Sequence, residues 1–185
     1  MFSSVNASSG LTAADIERLS IPGKQVELVR GRLVVREPPG TRHGVIAANL
    51  TAHLSNFVRQ RGLGTVCAQD SGFMIASDPD TVRAPDVAFL EGQQAGRIPE
   101  CGYAELAPAL VVEVLSPDDS LSEVLAKVAD WFASGTRLVW LVDPHQRQVH
   151  VYRQSGGISL LGGDAALDGE DLLPGFVCPL PDVFA

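Results

Sequence analysis

The chain has 185 residues, of which 45% are hydrophobic and 19% are charged, a composition typical of a globular protein and unlike that of disordered chains. Its formal net charge of −8 argues against broad attachment to nucleic acid through a basic face. We expect one domain over residues 1–185, with residues 1–10 flexible. Three widely spaced cysteines and the lack of a leader or long apolar run favour a cytoplasmic protein with no membrane span.

The first half of the chain predicts a helix, a hairpin and a second helix. Residues 11–19 should form a short helix with an N-cap at Thr12. Residues 26–37 have the pattern of two strands joined at Arg30-Gly31, an N-terminal β-hairpin. Apolar residues then recur at three- and four-residue intervals over residues 44–61, which predicts an amphipathic helix that ends at Gly62.

The second half is rich in strands and contains one more helix. Residues 110–115 form an almost continuous apolar run, typical of a strand that is buried on both faces. The next helix should span residues 121–134, with a cap supplied by Ser116, Asp118 and Asp119. Residues 168–185 have the composition of turns with apolar anchors. Further strands are expected near residues 65–69, 72–75, 84–90, with Val87 and Phe89 toward the core, 137–143 and 148–153.

Glu113 is the most anomalous residue of the sequence because it interrupts the apolar run of residues 110–115. An unpaired charge in a buried strand costs several kcal/mol, on the order of what removal of one partner of an ion pair costs, so a cation or strong donor should lie nearby. One interpretation is a structural ion pair with arginine or lysine. The other is a metal ligand.

Asp86 is the second candidate because Pro85 places its carboxylate at the start of a strand. Alone, an Asp after Pro is typical of a turn or cap. Beside Glu113 on a neighbouring strand, the two carboxylates could share one hard cation. Mg²⁺ or Mn²⁺ fits this set better than zinc, since the sequence has no Cys/His cluster.

Lys127 is the third candidate and lies on the helix that follows Glu113. An ammonium group near an attacking water balances the charge that develops on phosphorus during hydrolysis. The alternative is a solvated lysine in a surface ion pair with Glu123, four residues earlier on the same helix face.

Several segments together resemble a known family of nucleases. These segments are VELVRGRLVV, the helix near His43, RAPDVAFL, the long block from PALVVEVLSPDD to WLVDP, and LPGFVCPLPDVF. In this order they resemble the Uma-type restriction endonuclease family of the PD-(D/E)xK nuclease superfamily, over roughly residues 11–184. The resemblance implies an α/β fold of the restriction-endonuclease type, with a central mixed sheet flanked by helices.

The resemblance also implies roles for individual residues. Asp86 matches the aspartate of the superfamily motif, Glu113 its second carboxylate, and the main-chain carbonyl of Val114 a further metal ligand. The superfamily places its lysine two residues after the glutamate, where this chain has Leu115. In the Uma-type pattern the lysine lies on the following helix, so the resemblance assigns the catalytic lysine to Lys127.

Two further residues are additional candidates. Glu27 matches an acidic residue of the family's early strand and could lie near the metal; the alternative is a hairpin ion pair with Arg30 or Arg32. His43 opens the long helix and could contact phosphate or act as a general acid; the alternative is a capping or surface histidine.

These residues lead to two hypotheses of different classes. The first is a Mg²⁺- or Mn²⁺-dependent endonuclease that acts on DNA in preference to RNA, with a homodimer expected by analogy with nucleases that cut both strands. The second is a nuclease-fold module that binds or regulates with little cutting, which the acidic net charge and Leu115 favour. A basic rim for phosphate would have to come from scattered arginines, namely Arg42, Arg59, Arg61, Arg83 and Arg97.

Overall fold

The structure is a computed structural model that describes residues 10–19 and 21–185. Nine of the ten residues that the sequence predicts to be flexible therefore lie outside the described residues. The helices are α1 (Ala13–Glu17), α2 (Thr41–Arg61), α3 (Gly92–Ala95), α4 (Leu121–Ser134) and α5 (Leu180–Val183). The strands are β1 (Gln25–Val29), β2 (Arg32–Arg36), β3 (Gly64–Ala68), β4 (Phe73–Ala76), β5 (Thr81–Arg83), β6 (Val87–Glu91), β7 (Leu110–Val114), β8 (Leu138–Asp143), β9 (Gln148–Arg153), β10 (Ile158–Gly162), β11 (Ala166–Gly169) and β12 (Leu173–Pro179).

The N-terminal hairpin belongs to a four-stranded sheet in the order β2-β1-β5-β4. Its turn at Arg30-Gly31 has positive φ angles of 50° and 73°, as a tight hairpin turn requires. Helix α1 begins at the N-cap Thr12, whose side chain forms a capping box with Asp15. The predicted first helix and hairpin are thus confirmed.

The central sheet has six strands in the order β10-β9-β8-β7-β6-β3. Only β7 and β8 run parallel among these neighbours, and helix α4 supplies the crossover that a parallel pair needs. A mixed sheet flanked by helices confirms the predicted fold class.

Helices cover both faces of the central sheet. On one face α2 packs against a cluster that includes Phe89 and Trp140; on the other, Trp131 of α4 packs against Ala88 and Leu90. The prediction of Val87 and Phe89 as the core-facing residues of β6 was therefore too narrow, because both faces of the strand are covered and Ala88 and Leu90 are buried as well. The polar side chains of these buried strands lie together at one end of the central sheet.

Two predicted boundaries differ from the structure. Helix α2 begins at Thr41 rather than residue 44, which places His43 within its first turn. The N-cap of α4 is Ser120, in a capping box with Glu123; Ser116, Asp118 and Asp119 precede it in a turn. The Asp119 carboxylate instead accepts a hydrogen bond from the Ser116 amide at 2.8 Å. The predicted cap was therefore wrong.

Short elements account for the remaining differences. Strand β5 has three residues and was not predicted as a separate strand. The segment predicted as turns with apolar anchors contains most of a two-stranded sheet, β11-β12, and helix α5. Within the part of the chain that the structure describes, no helix combines the length and apolarity needed to cross a membrane.

Candidate active site

Two adjacent strands bring Asp86 and Glu113 to the same end of the central sheet. Asp86 directly precedes β6, and Glu113 is the fourth residue of β7. The strands pair antiparallel, with Val87 opposite Val112, and the Asp86 amide continues the ladder by donating to the Val112 carbonyl at 3.1 Å. The register therefore explains why these two carboxylates are neighbours.

The Asp86 carboxylate is held by three donors from different parts of the chain. The Val114 amide donates to Oδ2 at 2.7 Å, Gln69 Nε2 donates to Oδ1 at 3.1 Å, and His43 Nε2 lies 3.2 Å from Oδ2. Burial acts to raise the pKa of Asp86, but the hydrogen bond and charge of His43, with the Val114 amide, outweigh it and lower the pKa. Asp86 is therefore an ionised, fixed carboxylate.

Both carboxylate oxygens of Glu113 meet donors from α4. Lys127 Nζ donates to Oε2 at 2.8 Å, and Trp131 Nε1 donates to Oε1 at 2.8 Å. The residue is only 8% exposed. Burial, opposed by Lys127 and reinforced by the charges of Asp86 and Glu27, raises the pKa of Glu113 to about 7. A proton and a cation therefore compete for the carboxylate of Glu113.

Lys127 points into the cleft rather than to solvent. Its Nζ lies 2.8 Å from Glu113 Oε2 and 3.3 Å from Glu27 Oε1. The surface pair with Glu123 is wrong, because the Glu123 carboxylate accepts hydrogen bonds from the hydroxyl and the amide of Ser120 at the helix N-terminus instead. Burial acts to lower the pKa of Lys127, but the charges of Glu113 and Glu27 outweigh it and raise the pKa. Lys127 therefore carries its positive charge.

Glu27 lies beside Lys127 and does not pair within its hairpin. Arg83 Nη1 donates to its Oε2 at 3.0 Å, and the Ala84 amide donates to Oε1 at 3.0 Å. The alternative pair with Arg30 or Arg32 is wrong, because Glu27 faces the buried side of β1. Burial acts to raise its pKa, but the charges of Lys127 and Arg83 lower it.

His43 is buried against Asp86, so the surface alternative is wrong. Its Nε2 faces Asp86, and its Nδ1 lies 3.3 Å from Gln69 Nε2. Burial acts to lower the pKa of His43, but its hydrogen bond to Asp86, the Asp86 charge and a hydrogen bond with the Val114 main chain raise it. The earlier start of α2 is what brings this ring into the cleft.

Sequence reasoning missed Trp131, Asp130 and Gln69. The signal for Trp131 was available, because it lies four residues after Lys127 on the same helix face. Gln69 follows β3 and had no local pattern. Arg83 was assigned to an exposed phosphate rim, but it is buried between Glu27 and Asp130.

The other arginines of that rim are mostly engaged elsewhere. Arg42 and Arg61 donate to main-chain carbonyls of the C-terminal segment, and Arg97 donates to the Glu105 carbonyl at 3.0 Å. None of Arg42, Arg59, Arg61 and Arg97 lines the cleft that contains Asp86 and Glu113, so these four arginines do not form a basic rim around it.

The site opens into a cleft of about 350 Å³. The hairpin sheet, α2, the ends of β6 and β7, and the first turns of α4 form its walls. Its cationic lining residues are Arg36, His43 and Lys127, and its anionic ones are Glu37, Asp86, Glu113, Asp118, Asp119 and Glu123. The cleft is thus acidic overall, with positive charge held close to the two central carboxylates.

The central carboxylates fit a hard divalent cation. An ionised carboxylate has about four acceptor positions, of which Asp86 uses three and Glu113 uses two in the contacts above. Among residues 10–19 and 21–185, no three His, Cys, Asp or Glu side chains form a metal-binding group. Two carboxylates are nevertheless a sufficient protein contribution for a cation such as Mg²⁺, which keeps several waters and takes one or two carboxylates.

The chain resembles known proteins both in sequence and in fold. The family model of Uma2, described as "Putative restriction endonuclease", matches residues 13–181. A putative nuclease belonging to DUF820, from Anabaena variabilis, has a similar crystal structure with a TM-score of 0.80 and 21% sequence identity, over 94% of this chain and 97% of that one. A search of curated proteins gave no match. The structural likeness shows the fold, and the match over most of the chain shows that the chain belongs to the Uma2 family of putative restriction endonucleases.

Proposed function

We propose that the chain is an endonuclease that uses Mg²⁺ or Mn²⁺ to hydrolyse phosphodiester bonds of DNA. The observation that carries the proposal is the convergence of Asp86, Glu113 and Lys127 in one cleft, from three segments that are distant in sequence. Family membership supports nuclease chemistry in general. The choice of DNA, the ion and the residue roles are our inference from the site.

Asp86, Glu113 and the main-chain carbonyl of Val114 would hold the cation. A bound divalent cation acts as a Lewis acid on a phosphoryl oxygen and favours ionisation of water. The fixed geometry of Asp86 supports this assignment, because a ligand that is already positioned by three donors loses little freedom when a cation binds.

Lys127 would stabilise the negative charge that grows on the phosphoryl group during attack. An ammonium that is already fixed and charged in a cleft needs little reorganisation as the reaction proceeds. Its contact with Glu113 keeps it charged near the reacting atoms. His43, whose Nε2 lies 3.2 Å from Asp86 Oδ2, would contact the substrate phosphate or protonate the leaving oxygen.

A binding or regulatory module with little cutting is the second candidate function. The observation that favours it is the acidic cleft, because six acidic lining residues repel a polyanion unless a cation compensates them. The presence of Leu115 where the superfamily has its lysine also favours it. The retained set of two carboxylates and Lys127 favours catalysis.

Cleavage assays distinguish these two functions. Purified wild type would be incubated with single-stranded and double-stranded DNA, and with RNA, in Mg²⁺, in Mn²⁺ and in excess EDTA. We expect metal-dependent cleavage of DNA that falls to a slow residual rate in Lys127→Ala and is retained in Glu123→Gln, which removes a charge at the cleft mouth and serves as the control. DNA binding without cleavage under any of these conditions would instead support the binding module.

Domain and assembly are part of the same proposal. We propose that residues 1–185 act as one domain and that cleavage of both DNA strands requires two copies, since one site handles one strand at a time. Sedimentation of the protein with and without duplex DNA tests the dimer. A monomer that makes double-strand breaks with strictly first-order dependence on protein would contradict it.

A further inference from the structure

A closed ring of charged side chains lies behind the catalytic lysine. Lys127 contacts Glu27, Glu27 contacts Arg83, and Arg83 contacts Asp130, which returns to α4 three residues after Lys127. We propose that Arg83, acting through Glu27, is a positioning residue that fixes Lys127 against Glu113. This proposal rests on the proposed function and assigns a role to residues that do not touch substrate.

Glu27 is fully committed to this ring. Its Oε2 accepts from Arg83 Nη1 at 3.0 Å, while its Oε1 accepts from the Ala84 amide at 3.0 Å and faces Lys127 Nζ at 3.3 Å. The two donors fix the plane of the carboxylate, so that one oxygen is aimed at Lys127. Glu27 is not among the residues that line the cleft with Asp86 and Glu113, so these contacts explain its burial better than direct ligation of a cation.

Arg83 links three parts of the cleft. Its Nη1 contacts Glu27 on β1, and its Nη2 contacts Asp130 on α4 at 2.6 Å. Arg83 also ends β5, directly before the Ala84-Pro85 segment that leads to Asp86. One side chain therefore links the hairpin sheet, the helix that carries Lys127 and the segment that places Asp86.

The geometry at position 83 requires the guanidinium group of an arginine, and a positive charge alone would not replace it. A planar guanidinium presents several donors in a rigid fork and can reach two carboxylates in fixed directions, whereas a lysine is a single point charge on a flexible stem. Because the side chain of Arg83 is buried between two acids, removal of its charge would break a buried ion pair with each of them. Arg83→Lys keeps the charge and removes the fork, so it tests positioning with the least damage to folding.

Kinetics provide the first test. We expect Glu27→Gln and Arg83→Lys each to lower kcat by about 10- to 100-fold, the range that small misplacements of a catalytic group cause, with little change in KM. If both act through Lys127, neither substitution should lower the residual rate of Lys127→Ala any further. Arg83→Lys should likewise add nothing to Glu27→Gln.

Arg30→Gln is the matched control. Arg30 Nη2 approaches the same Asp130 at 3.7 Å but from an exposed position, with 76% of the side chain accessible. The Arg30→Gln substitution should leave kcat and KM unchanged. Equal losses of rate in the wild-type and Lys127→Ala backgrounds would overturn the proposal, because they would indicate a general structural role.

Amine labelling provides a second test that does not depend on activity. The chain has two lysines, Lys24 and Lys127, so Lys24 is an internal reference within each sample. With an acetylating N-hydroxysuccinimide ester and mass spectrometry, we expect Lys127 of the wild type to react much more slowly than Lys24. Glu27→Gln and Arg83→Lys should raise the Lys127-to-Lys24 ratio severalfold at unchanged Tm, and Arg30→Gln should not.

The two tests separate the failure of each proposal. A wild type that cleaves nothing would contradict the proposed function, while the labelling ratio would still decide the role of Arg83 and Glu27. A labelling ratio unchanged in both folded variants would overturn the positioning proposal even if the enzyme is active. If Arg83→Lys does not fold, Asp130→Asn replaces it, because it loosens the same fork at its less buried end and carries the same expectations.

Discussion

At the scale of single residues, Glu113 is the buried carboxylate on which the proposed chemistry depends most. Its two oxygens are aligned by Lys127 and Trp131, which lie one helical turn apart on α4. Such a carboxylate is rigid but still has acceptor positions for a cation. Its charge state depends on which neighbour compensates it: a proton, Lys127 or a metal.

Metal affinity should depend on pH through Glu113. Burial raises the pKa of Glu113 to about 7, so below that pH a cation must displace a proton before it binds. We expect the affinity for Mn²⁺, measured by calorimetry, to be about tenfold lower one pH unit below this pKa and to level off above it. An affinity that stays constant between about pH 6 and 8 would contradict this account of Glu113.

The indole of Trp131 should contribute a hydrogen bond as well as packing. Trp131→Phe preserves an aromatic ring against Phe73, whose ring centroid lies 6.5 Å away, but it removes the donor to Glu113 Oε1. We expect a loss of about 1–3 kcal/mol in the free energy of unfolding, beyond the loss of packing, because a buried acceptor loses its partner.

Trp140→Phe is the control for that prediction. Among the described residues, Trp140 Nε1 is buried without a hydrogen-bond partner, so its removal should cost packing alone. Denaturant unfolding of both variants measures the difference. Equal losses would show that the Trp131 hydrogen bond contributes nothing.

At the scale of elements, α4 illustrates what a sequence can and cannot predict. Its bounds follow from apolar periodicity and the terminal Gly135, and they are confirmed at residues 121–134. Its cap does not follow, because Ser116, Asp118, Asp119 and Ser120 are all good capping residues and the turn decides among them. Asp119 is taken instead by Arg36 across the cleft at 2.8 Å, a contact that no local pattern could reveal.

The observed cap should be measurable as stability. Ser120→Ala removes the side-chain acceptor for the Glu123 amide, and we expect a loss of about 0.5–2 kcal/mol in the free energy of unfolding. Asp118→Ala, at a position that the sequence favoured as part of the cap, should change it by less than about 0.5 kcal/mol. Chemical denaturation checks both, and the reverse order would restore the cap predicted from sequence.

The candidate site, like the cap of α4, could be predicted only in part from the sequence. Glu113 stands out because a charge within an apolar strand needs a partner, but the sequence did not identify that partner. Arg83 and Glu27 meet because β1 and β5 are neighbours in a sheet, and β5 is too short for its period to be recognised. Contacts that depend on strand order in this way become visible only in the folded chain.

At the scale of the whole molecule, charge limits how the protein can bind DNA. The net charge is −8, and the three cations that line the cleft, Lys127, His43 and Arg36, all contact carboxylates already. Few phosphates can therefore be neutralised by side chains. Recognition should depend on the cation and on close contacts in the cleft rather than on a broad electrostatic surface.

The salt dependence of DNA binding should accordingly be shallow. Two neutralised phosphates correspond to a slope of about −2 in a plot of log affinity against log salt concentration. Fluorescence anisotropy with the Lys127→Ala variant, whose turnover is slow, measures this slope for the contacts that remain. A slope of about −5 or steeper would reveal a basic surface of several phosphate contacts that this structure does not account for.

The central claim is that Asp86 and Glu113 bind the cation on which cleavage depends. The most direct measurement titrates Mn²⁺ into one sample while binding and DNA cleavage are both recorded, for the wild type, Asp86→Asn, Glu113→Gln and Glu123→Gln. We expect cleavage to rise with occupancy in the wild type and Glu123→Gln, and both signals to be lost in the other two variants. Wild-type binding and cleavage in Asp86→Asn and Glu113→Gln would contradict the account.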